Sequence, residues 1–476
     1  MTVWEVILAV LLLLGVQAAL GIVMERRSPV ATWAWLLILT LIPVVGVPLY
    51  LLFGRTTIKR KIRLGASAAR QLGREGLPLE FPPSMVGAAI DLDRIEVGTA
   101  RLAVGLGGTL LRACNRVDVL QDGPETFAAL VQAIREATHY VHLEFFIFSP
   151  GGIGARLRDA LAEAAGRGVE VRMLFDAFGS FRLPAAYLAP VLERGGRLEF
   201  FAPVRFSRLR RRPDFRNHRK ILVVDGRVGF VGGINVMDEY VADVRPDTPW
   251  RDTHLRVVGP IVQDLERVLN ESWFLATDEV LAEPRHFGAP APAGDALAQV
   301  VASGPDNEWP AIEKIYTSAI FAARRNIHIA TPYLVPTDAV LSALASAALR
   351  GVTVQVLVPC RGDHTLVQWA GRSYYPELLE AGVRVFEFGP RIMHAKVLTV
   401  DGRFNLVGTA NLDIRSFRLN YEVGMIVYDR AVTAELDAAL ARDVAQSHEV
   451  EIEAFRKRPY LQRFRENTAR LFSPVL

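Results

Sequence analysis

The sequence predicts an α/β protein of two homologous domains, set behind two N-terminal transmembrane helices. Three observations predict it: two long uncharged runs at the front, alternating strand and helix patterns after them, and an internal repeat offset by 176 residues. At 476 residues the chain is too long for one core, so two or three domains are expected.

The uncharged runs come first. Val6 to Val23 carries no charge, and Ala31 to Phe53 is a second such run. Each is long enough, or nearly so, to cross about 30 Å of hydrocarbon as a helix. A cleavable signal peptide would carry basic residues ahead of its apolar stretch. Here Glu5 precedes Val6 without any Lys or Arg, and a second apolar run follows at once. Pro43, Gly46 and Pro48 leave a kinked or re-entrant second helix open. Arg55, Lys59, Arg60, Lys61 and Arg63 follow the second run, against Arg26 and Arg27 in the loop between the two. The positive-inside bias then places both termini, and everything after Phe53, on the cytoplasmic side.

The repeat organises the rest. His218, Lys220, Asp225, Gly232 and Asn235 recur as His394, Lys396, Asp401, Gly408 and Asn411. Upstream, Tyr140 to Pro150 parallels Asn326 to Pro336, and the segments from Gly166 and Glu193 parallel those from Leu349 and Glu380. Each half reads as strand, Ala-rich amphipathic helix, strand, helix, strand, then the His-Lys strand. That alternation argues for α/β layers with a largely parallel sheet. Copies of about 180 residues are too long for solenoid units, so they are domains. The expected boundaries are 1–64 for the spans and basic flank, 65–115 for a connecting segment, 116–282 and 297–476 for the domains, and a Pro-, Gly- and Ala-rich linker at 283–296.

The first half carries 11 extra residues ahead of its motif, holding Arg205, Arg208, Arg210, Arg211, Arg212 and Arg216. A charge run is often a solvated face; beside a His-Lys strand it also suits the gathering of anionic substrate or lipid headgroups. The formal net charge of +4 names no partner by itself. Two cysteines, Cys114 and Cys360, sit in unrelated contexts, which excludes a disulfide framework or a Cys-based metal site.

A strand buried in apolar company has no use for a histidine and a lysine, each costly to desolvate. Residues i and i+2 of a strand share a face, so His218 joins Lys220 and His394 joins Lys396. Asp225-Gly226 and Asp401-Gly402 read as two-residue hairpins that return the chain antiparallel. The returning strands end in small residues followed by Asn235 and Asn411, so each half offers an imidazole, an ammonium and a carboxamide around one small space. A divalent metal is disfavoured because an ammonium would repel it, and no cofactor is called for. A phosphodiester suits the set. Lysine and asparagine neutralise the non-bridging oxygens, one histidine attacks phosphorus, and the other protonates the leaving alkoxide. Since neither half supplies both histidines, the site is expected between the halves.

The two motifs, HxKx4Dx6GGxN and HxKx4Dx6GTxN, resemble the paired HKD motifs of the phospholipase D superfamily. The likeness covers nearly everything from about Arg116 onward. It implies a pseudo-twofold pair of α/β sandwich domains, a phosphohistidine intermediate and no metal. It further implies His218 as nucleophile and His394 as general acid and base, with Asp225 and Asp401 completing the motifs. By residue chemistry those two aspartates suit fixing the hairpins better than touching substrate. The family's histidines are oriented by a downstream carboxylate, which nominates Asp252 and Glu422 from "RDTHLRV" and "NYEVGMIV". Gly233 departs from the Ser or Thr common there, whereas Thr409 keeps a hydroxyl, so the first half is expected to lack one hydrogen bond to phosphate.

Within the superfamily, "NHRKILVVDG", "TPYLVP" and "SFRLNYEVG" are similar to bacterial cardiolipin synthases. That similarity implies transfer of a phosphatidyl group between two phosphatidylglycerol molecules in the bilayer, releasing glycerol. Other membrane phosphatidyltransferases and lipid hydrolases share every catalytic residue. A membrane-tethered nuclease is the distant alternative, and only Phe206 and Phe215 interleave the arginines, which speaks against nucleic acid as a partner.

Overall fold

The computed structural model describes residues 3–24, 29–50, 92, 94–107, 110–202, 215–241, 249–281, 283, 286 and 291–476. The chain divides into two compact units, Met1–Ala68 with Val204–Phe215 and Ala69–Pro203 with Arg216–Leu476. Arg26 and Arg27, the basic flank from Arg55 to Arg63, and the arginines from Arg205 to Arg212 lie outside the described residues.

In the smaller unit the first apolar run forms α1 (Val3–Met24), with the side chains of residues 3–5 and 7–11 outside the described set. The second run is not one helix. It divides into α2 (Pro29–Leu41) and α3 (Pro43–Leu49), which meet at Ile42. Pro43 has no N–H to continue the ladder, and Ile42 leaves the helical region at φ −136°, ψ 63°. Gly46 permits the close return, since a Cβ there would lie 2.6 Å from the Ile38 carbonyl oxygen. At about 1.5 Å per residue α2 reaches roughly 20 Å, short of the hydrocarbon thickness. Among the described residues no helix is long and apolar enough to cross a membrane. Two transmembrane helices are therefore not supported among the described residues, and the second run takes the kinked form that its prolines and glycine allowed. Ile22, Leu39, Val47 and Tyr50 are buried together, with Trp35 edge-on to Tyr50 at 5.5 Å.

The larger unit is built on strands. The first half contributes β1 (Arg112–Gln121), β2 (Tyr140–Phe145), β3 (Glu170–Asp176), β4 (Arg197–Phe201), β5 (Arg216–Asn217), β6 (Ile221–Val224), β7 (Val228–Gly232) and β8 (Thr253–Val258). The second contributes β9 (Ala296–Ser303), β10 (Asn326–Ala330), β11 (Leu334–Val335), β12 (Thr353–Pro359), β13 (Arg384–Phe388), β14 (Val397–Val400), β15 (Phe404–Gly408), β16 (Leu412–Asp413), β17 (Asn420–Tyr428) and β18 (Ser447–Glu449). One sheet runs β18-β13-β12-β10-β14-β15-β17-β9-β1-β8-β7-β6-β2-β3-β4. Outward from the β9–β1 junction the two halves read alike, which is the pseudo-twofold in strand order.

The sheet is mixed, which corrects the largely parallel expectation. β2-β3-β4 and β10-β12-β13 are parallel, but β6, β7 and β8 join antiparallel, as do β14, β15 and β17. A hairpin leaves no room for a crossover helix, so the strand returning from each His-Lys segment must run antiparallel to the one before it. The helices Asp122–Glu136 and Gly152–Gly166 present Leu130, Ile134, Leu157 and Leu161 to the first half's core. Val231, Leu255, Leu265, Val407, Val423 and Leu436 belong to another core that both halves share. Burial of that shared apolar surface holds the halves together. Ala296, placed at the end of the expected linker, already begins β9.

Each hairpin loop has three residues, not the two expected: Val224 pairs with Val228 and Val400 with Phe404. The loops open in the left-handed region, with φ 53° at Asp225, 63° at Gly226, 54° at Asp401 and 64° at Gly402. The extra length lets each aspartate reach back to the neighbouring strand. Asp225 accepts from the Thr138, His139 and Tyr140 amides at 2.8 Å, and Asp401 from the Arg324, Arg325 and Asn326 amides at 2.7–3.0 Å. Arg216, counted in the basic insertion, is buried in β5 with its guanidinium over the Phe178 ring, so it belongs to no solvated face.

Asp401→Ala and Asp225→Ala each remove one carboxylate acceptor shared by three amides. Each is expected to lower unfolding stability by about 3 kcal/mol, read from denaturant midpoints, with Asn at the same position losing less. Wild-type midpoints with abolished turnover would assign these carboxylates to chemistry instead.

Candidate active site

The two His-Lys pairs enter the sheet just ahead of β6 and β14, in extended segments outside the strand ladders themselves. His218, Lys220, His394 and Lys396 are all buried. What holds them there is pairing between the halves. β5 lies parallel on β17, with Arg216 opposite Asn420 and Asn217 opposite Tyr421, and the His218 amide donates to the Tyr421 carbonyl at 2.9 Å. The reciprocal pairing sets Arg251 against Met393, and the His394 amide donates to the Arg251 carbonyl at 2.7 Å. Each histidine is therefore fixed by the segment of the opposite half that carries a carboxylate.

The carboxylates are crossed in the same way. His218 Nδ1 lies 3.0 Å from Glu422, and His394 Nδ1 lies 2.7 Å from Asp252. The offset between the halves nominated both acids, but it did not show that each serves the other half's histidine. Glu422 is itself held by the Thr409 hydroxyl at 2.5 Å and by Asn420 Nδ2 at 3.1 Å. Thr409 thus orients the carboxylate. Gly233 at the equivalent place follows from the shorter acid: a Cβ there would sit 2.1 Å from Asp252 Oδ1.

The lysines and asparagines close the space. Lys220 Nζ donates to the His218 carbonyl at 2.6 Å, and Lys396 Nζ lies 2.7 Å from His394 Nδ1 and 3.3 Å from its Nε2. Asn235 Oδ1 accepts from the Ile147 amide at 3.2 Å, and Asn411 Nδ2 donates to Asp413 at 3.2 Å. Asp225 and Asp401 hold the hairpin loops at the opposite ends of β6 and β14 from the imidazoles.

Three aromatic groups went unnoticed in the sequence. Phe146 meets the His218 ring edge-on at 4.8 Å, Trp250 meets the His394 ring at 4.9 Å, and the Tyr240 hydroxyl lies 2.9 Å from His394 Nδ1. Trp250 directly precedes the "RDT" that nominated Asp252, and that adjacency was the available signal.

Burial dominates the electrostatics. It depresses His218 to about 4, opposed by Glu422 and aided by Lys220 and Lys396. It pushes His394 well below its ordinary value, with Lys396 adding to the effect. Burial likewise lowers Lys220 to about 7 and Lys396 to about 8, against the pull of Glu422 and Asp252. Burial raises Asp252, whereas for Glu422 it is outweighed by His218 and Lys220, so that carboxyl is lowered. The site is thus a buried cluster short of negative charge, and an anion entering it would raise every base.

Among the described residues one group could hold a metal ion: His142, Glu170 and His286, with ligand atoms within 4.8 Å of one another. None belongs to the His-Lys pairs. Glu266 at 2.7 Å from His142 and Arg172 on Glu170 supply counter-charges from within the protein.

Comparison with known proteins agrees with this geometry. The family described as "Cardiolipin synthase, PLD-like domain" matches residues 130–269 and 316–444, and "Phospholipase_D-nuclease N-terminal" matches residues 7–55. A cardiolipin synthase of Geobacillus kaustophilus is 38% identical over 462 residues, covering 96% of this chain and 91% of that protein. The major cardiolipin synthase of Bacillus subtilis is 36% identical over 485 residues, with both chains fully covered. A phosphatidylserine synthase of Haemophilus influenzae superposes with a TM-score of 0.61 at 15% identity, over 80% of this chain and all of that one, and so shares the fold.

Gly233→Ala should displace Asp252 from His394 without touching substrate. Turnover is expected to fall at least about tenfold, as when the partner orienting an imidazole is lost, with little change in KM. Unchanged kcat, measured beside the unfolding midpoint, would show that the contact does not matter.

Proposed function

This chain belongs to the phospholipase D-like cardiolipin synthase family, and from that premise we propose that it joins two phosphatidylglycerol molecules into cardiolipin with release of glycerol. One observation carries the reading: two imidazoles, each tied through Nδ1 to a carboxylate of the opposite half, stand with two lysines in one buried site. A carboxylate on Nδ1 holds the proton there and leaves Nε2 as the working base.

In the proposed sequence His218 Nε2 attacks phosphorus, and the bond from phosphorus to the glycerol oxygen breaks. His394 gives its proton to that oxygen. The phosphatidyl group now rests on His218. The glycerol hydroxyl of a second phosphatidylglycerol surrenders its proton to His394 and attacks phosphorus, and the phosphorus–nitrogen bond breaks. Lys220, Lys396 and the carboxamides of Asn235 and Asn411 stabilise the charge on the non-bridging oxygens. Hydrolysis would follow the same path with water as acceptor, so the acceptor alone separates synthase from lipase. The helices α1–α3, with Leu13, Leu20, Trp33 and Leu41 exposed, anchor the chain in the cell membrane in this reading, and the basic flank keeps the catalytic unit cytoplasmic.

Purified protein incubated with labelled phosphatidylglycerol is expected to yield cardiolipin and glycerol in equal amounts. Phosphatidic acid as the sole product would make it a hydrolase.

The division of labour can be read with an activated aryl phosphodiester, whose phenoxide leaves without a proton. His394→Ala should accumulate an acid-labile, base-stable label, and His218→Ala none. The reverse pattern exchanges the roles, and label on neither variant argues against a covalent route.

With the same substrate the acid requirement disappears, so kcat/KM should rise through a pKa near 4 as His218 loses its proton. It should fall between about 7 and 8 as Lys220 and Lys396 lose their charge. An acid limb at the ordinary imidazole value would show that His218 is not buried as described.

A further inference from the structure

The last twenty residues carry a surface that neither the sheet nor the active site uses. The helix Tyr460–Arg470 buries Glu466 and Ala469 on its inner face. Glu466 takes Arg372 Nε at 3.2 Å and Arg458 at 3.0 Å, while Ser473 accepts the Tyr374 hydroxyl at 3.0 Å. These contacts fix which face is inward. The outward face then shows Leu461, Phe464, Leu471 and Val475, at steps of three, seven and four residues, with relative exposures of 57%, 56%, 78% and 59%. A soluble surface helix buries such a stripe; here it is turned to solvent.

The charge of the segment selects its occupant. From Lys457 to Leu476 there are five cationic side chains against the single acid Glu466; Arg458 pairs with that acid and Arg470 with Glu377, and Lys457, Arg463 and Arg465 are exposed. A second copy of the chain would set these cations against their own kind. An anionic bilayer matches both features, since apolar side chains enter the headgroup boundary and basic ones meet lipid phosphates at about 1 kcal/mol each.

The position suits the chemistry as well. The helix packs on Thr365–Arg372 through the Glu466–Arg372 contact, and that helix leaves Leu366 and Trp369 exposed. Its start follows Asp363, whose charge acts on both His394 and Lys396. The exposed stripe therefore adjoins the element leading into the site.

We propose that the outward stripe of the C-terminal helix and the turn that follows it, Leu461, Phe464, Leu471 and Val475, is an interfacial docking surface that seats the catalytic unit on an anionic bilayer. The inference rests on the phosphatidylglycerol reading for its biological sense, but its test does not depend on turnover.

The full-length chain, with Cys114→Ser and Cys360→Ser, would carry an environment-sensitive fluorophore on Phe464→Cys. In vesicles of phosphatidylcholine with phosphatidylglycerol the probe is expected to shift blue and to be quenched by lipid-borne nitroxides, and to respond less in phosphatidylcholine alone. A probe that stays wet in both overturns the proposal. So does a probe already buried in detergent together with a doubled particle mass, which would mark an interface between copies. Leu461→Gln, Phe464→Gln and Leu471→Gln combined should lower the rate on vesicle phosphatidylglycerol about tenfold while leaving the rate on short-chain, monomeric phosphatidylglycerol unchanged. An equal fall on both substrates, or no fall on either, also overturns it. Lipid insertion of the probe without any turnover by the parent protein would retain the docking surface and discard the enzymatic reading.

Discussion

The structure depends on the crossed carboxylates. Two imidazoles and two ammoniums buried together form an arrangement that no apolar core tolerates without compensation. Glu422 and Asp252 supply it, each from the half that does not carry the histidine it serves. Removing one half would leave the other's histidine without the carboxylate that holds it. The shared core and the β9–β1 junction therefore hold together an electrostatic unit that neither half completes alone.

Much of this was legible in the chain, for identifiable reasons. The repeat of His218 and Lys220 as His394 and Lys396 survives any fold because spacing along one segment is local. The strands were legible from Val-, Ile- and Leu-rich runs, and β2 is buried at all six positions. The mixed sheet was harder. Alternation of strands and helices points to parallel pairing, and only the hairpins, taken to their geometric consequence, show that half the ladder must turn back. The break at Ile42 was readable as a possibility, because a proline removes a donor wherever it stands, but choosing between a kinked span and a broken pair needs the surrounding turns.

The crossing itself was not legible. Alignment of the halves tells which residues are equivalent, not which equivalents meet, and pseudo-twofold symmetry permits either pairing. Tyr240, Phe146 and Trp250 were missed for a related reason: their counterparts do not recur at the repeat offset, so they carried no signal of their own. Thr409 was seen as a hydroxyl available to phosphate, whereas its nearest acceptor is Glu422. A hydroxyl one residue past a glycine at the end of a strand can serve either partner, and only the carboxylate's position decides.

That difference between the halves bears on how the proposed reaction starts. Glu422, longer and fixed by Thr409 and Asn420, is lowered beside His218 and holds the imidazole's tautomer, while burial with Lys220 and Lys396 keeps that imidazole neutral to attack. Asp252 is raised by burial, and His394 is pushed well below its ordinary value by burial with Lys396 against it. With Lys396 and Lys220 beside it, His394 is therefore a poor holder of the proton it would donate in the proposed reaction. A phosphodiester between the lysines changes this, because its negative charge offsets Lys220 and Lys396, the two cations that depress His394. Substrate charge thus favours the protonated form of His394 that the proposed reaction needs, and it relieves His218 of the same two lysines. In the proposed reaction the phosphate thus helps to charge the acid that serves its own cleavage, and the halves differ in the carboxylate behind each imidazole, lowered at Glu422 and raised at Asp252.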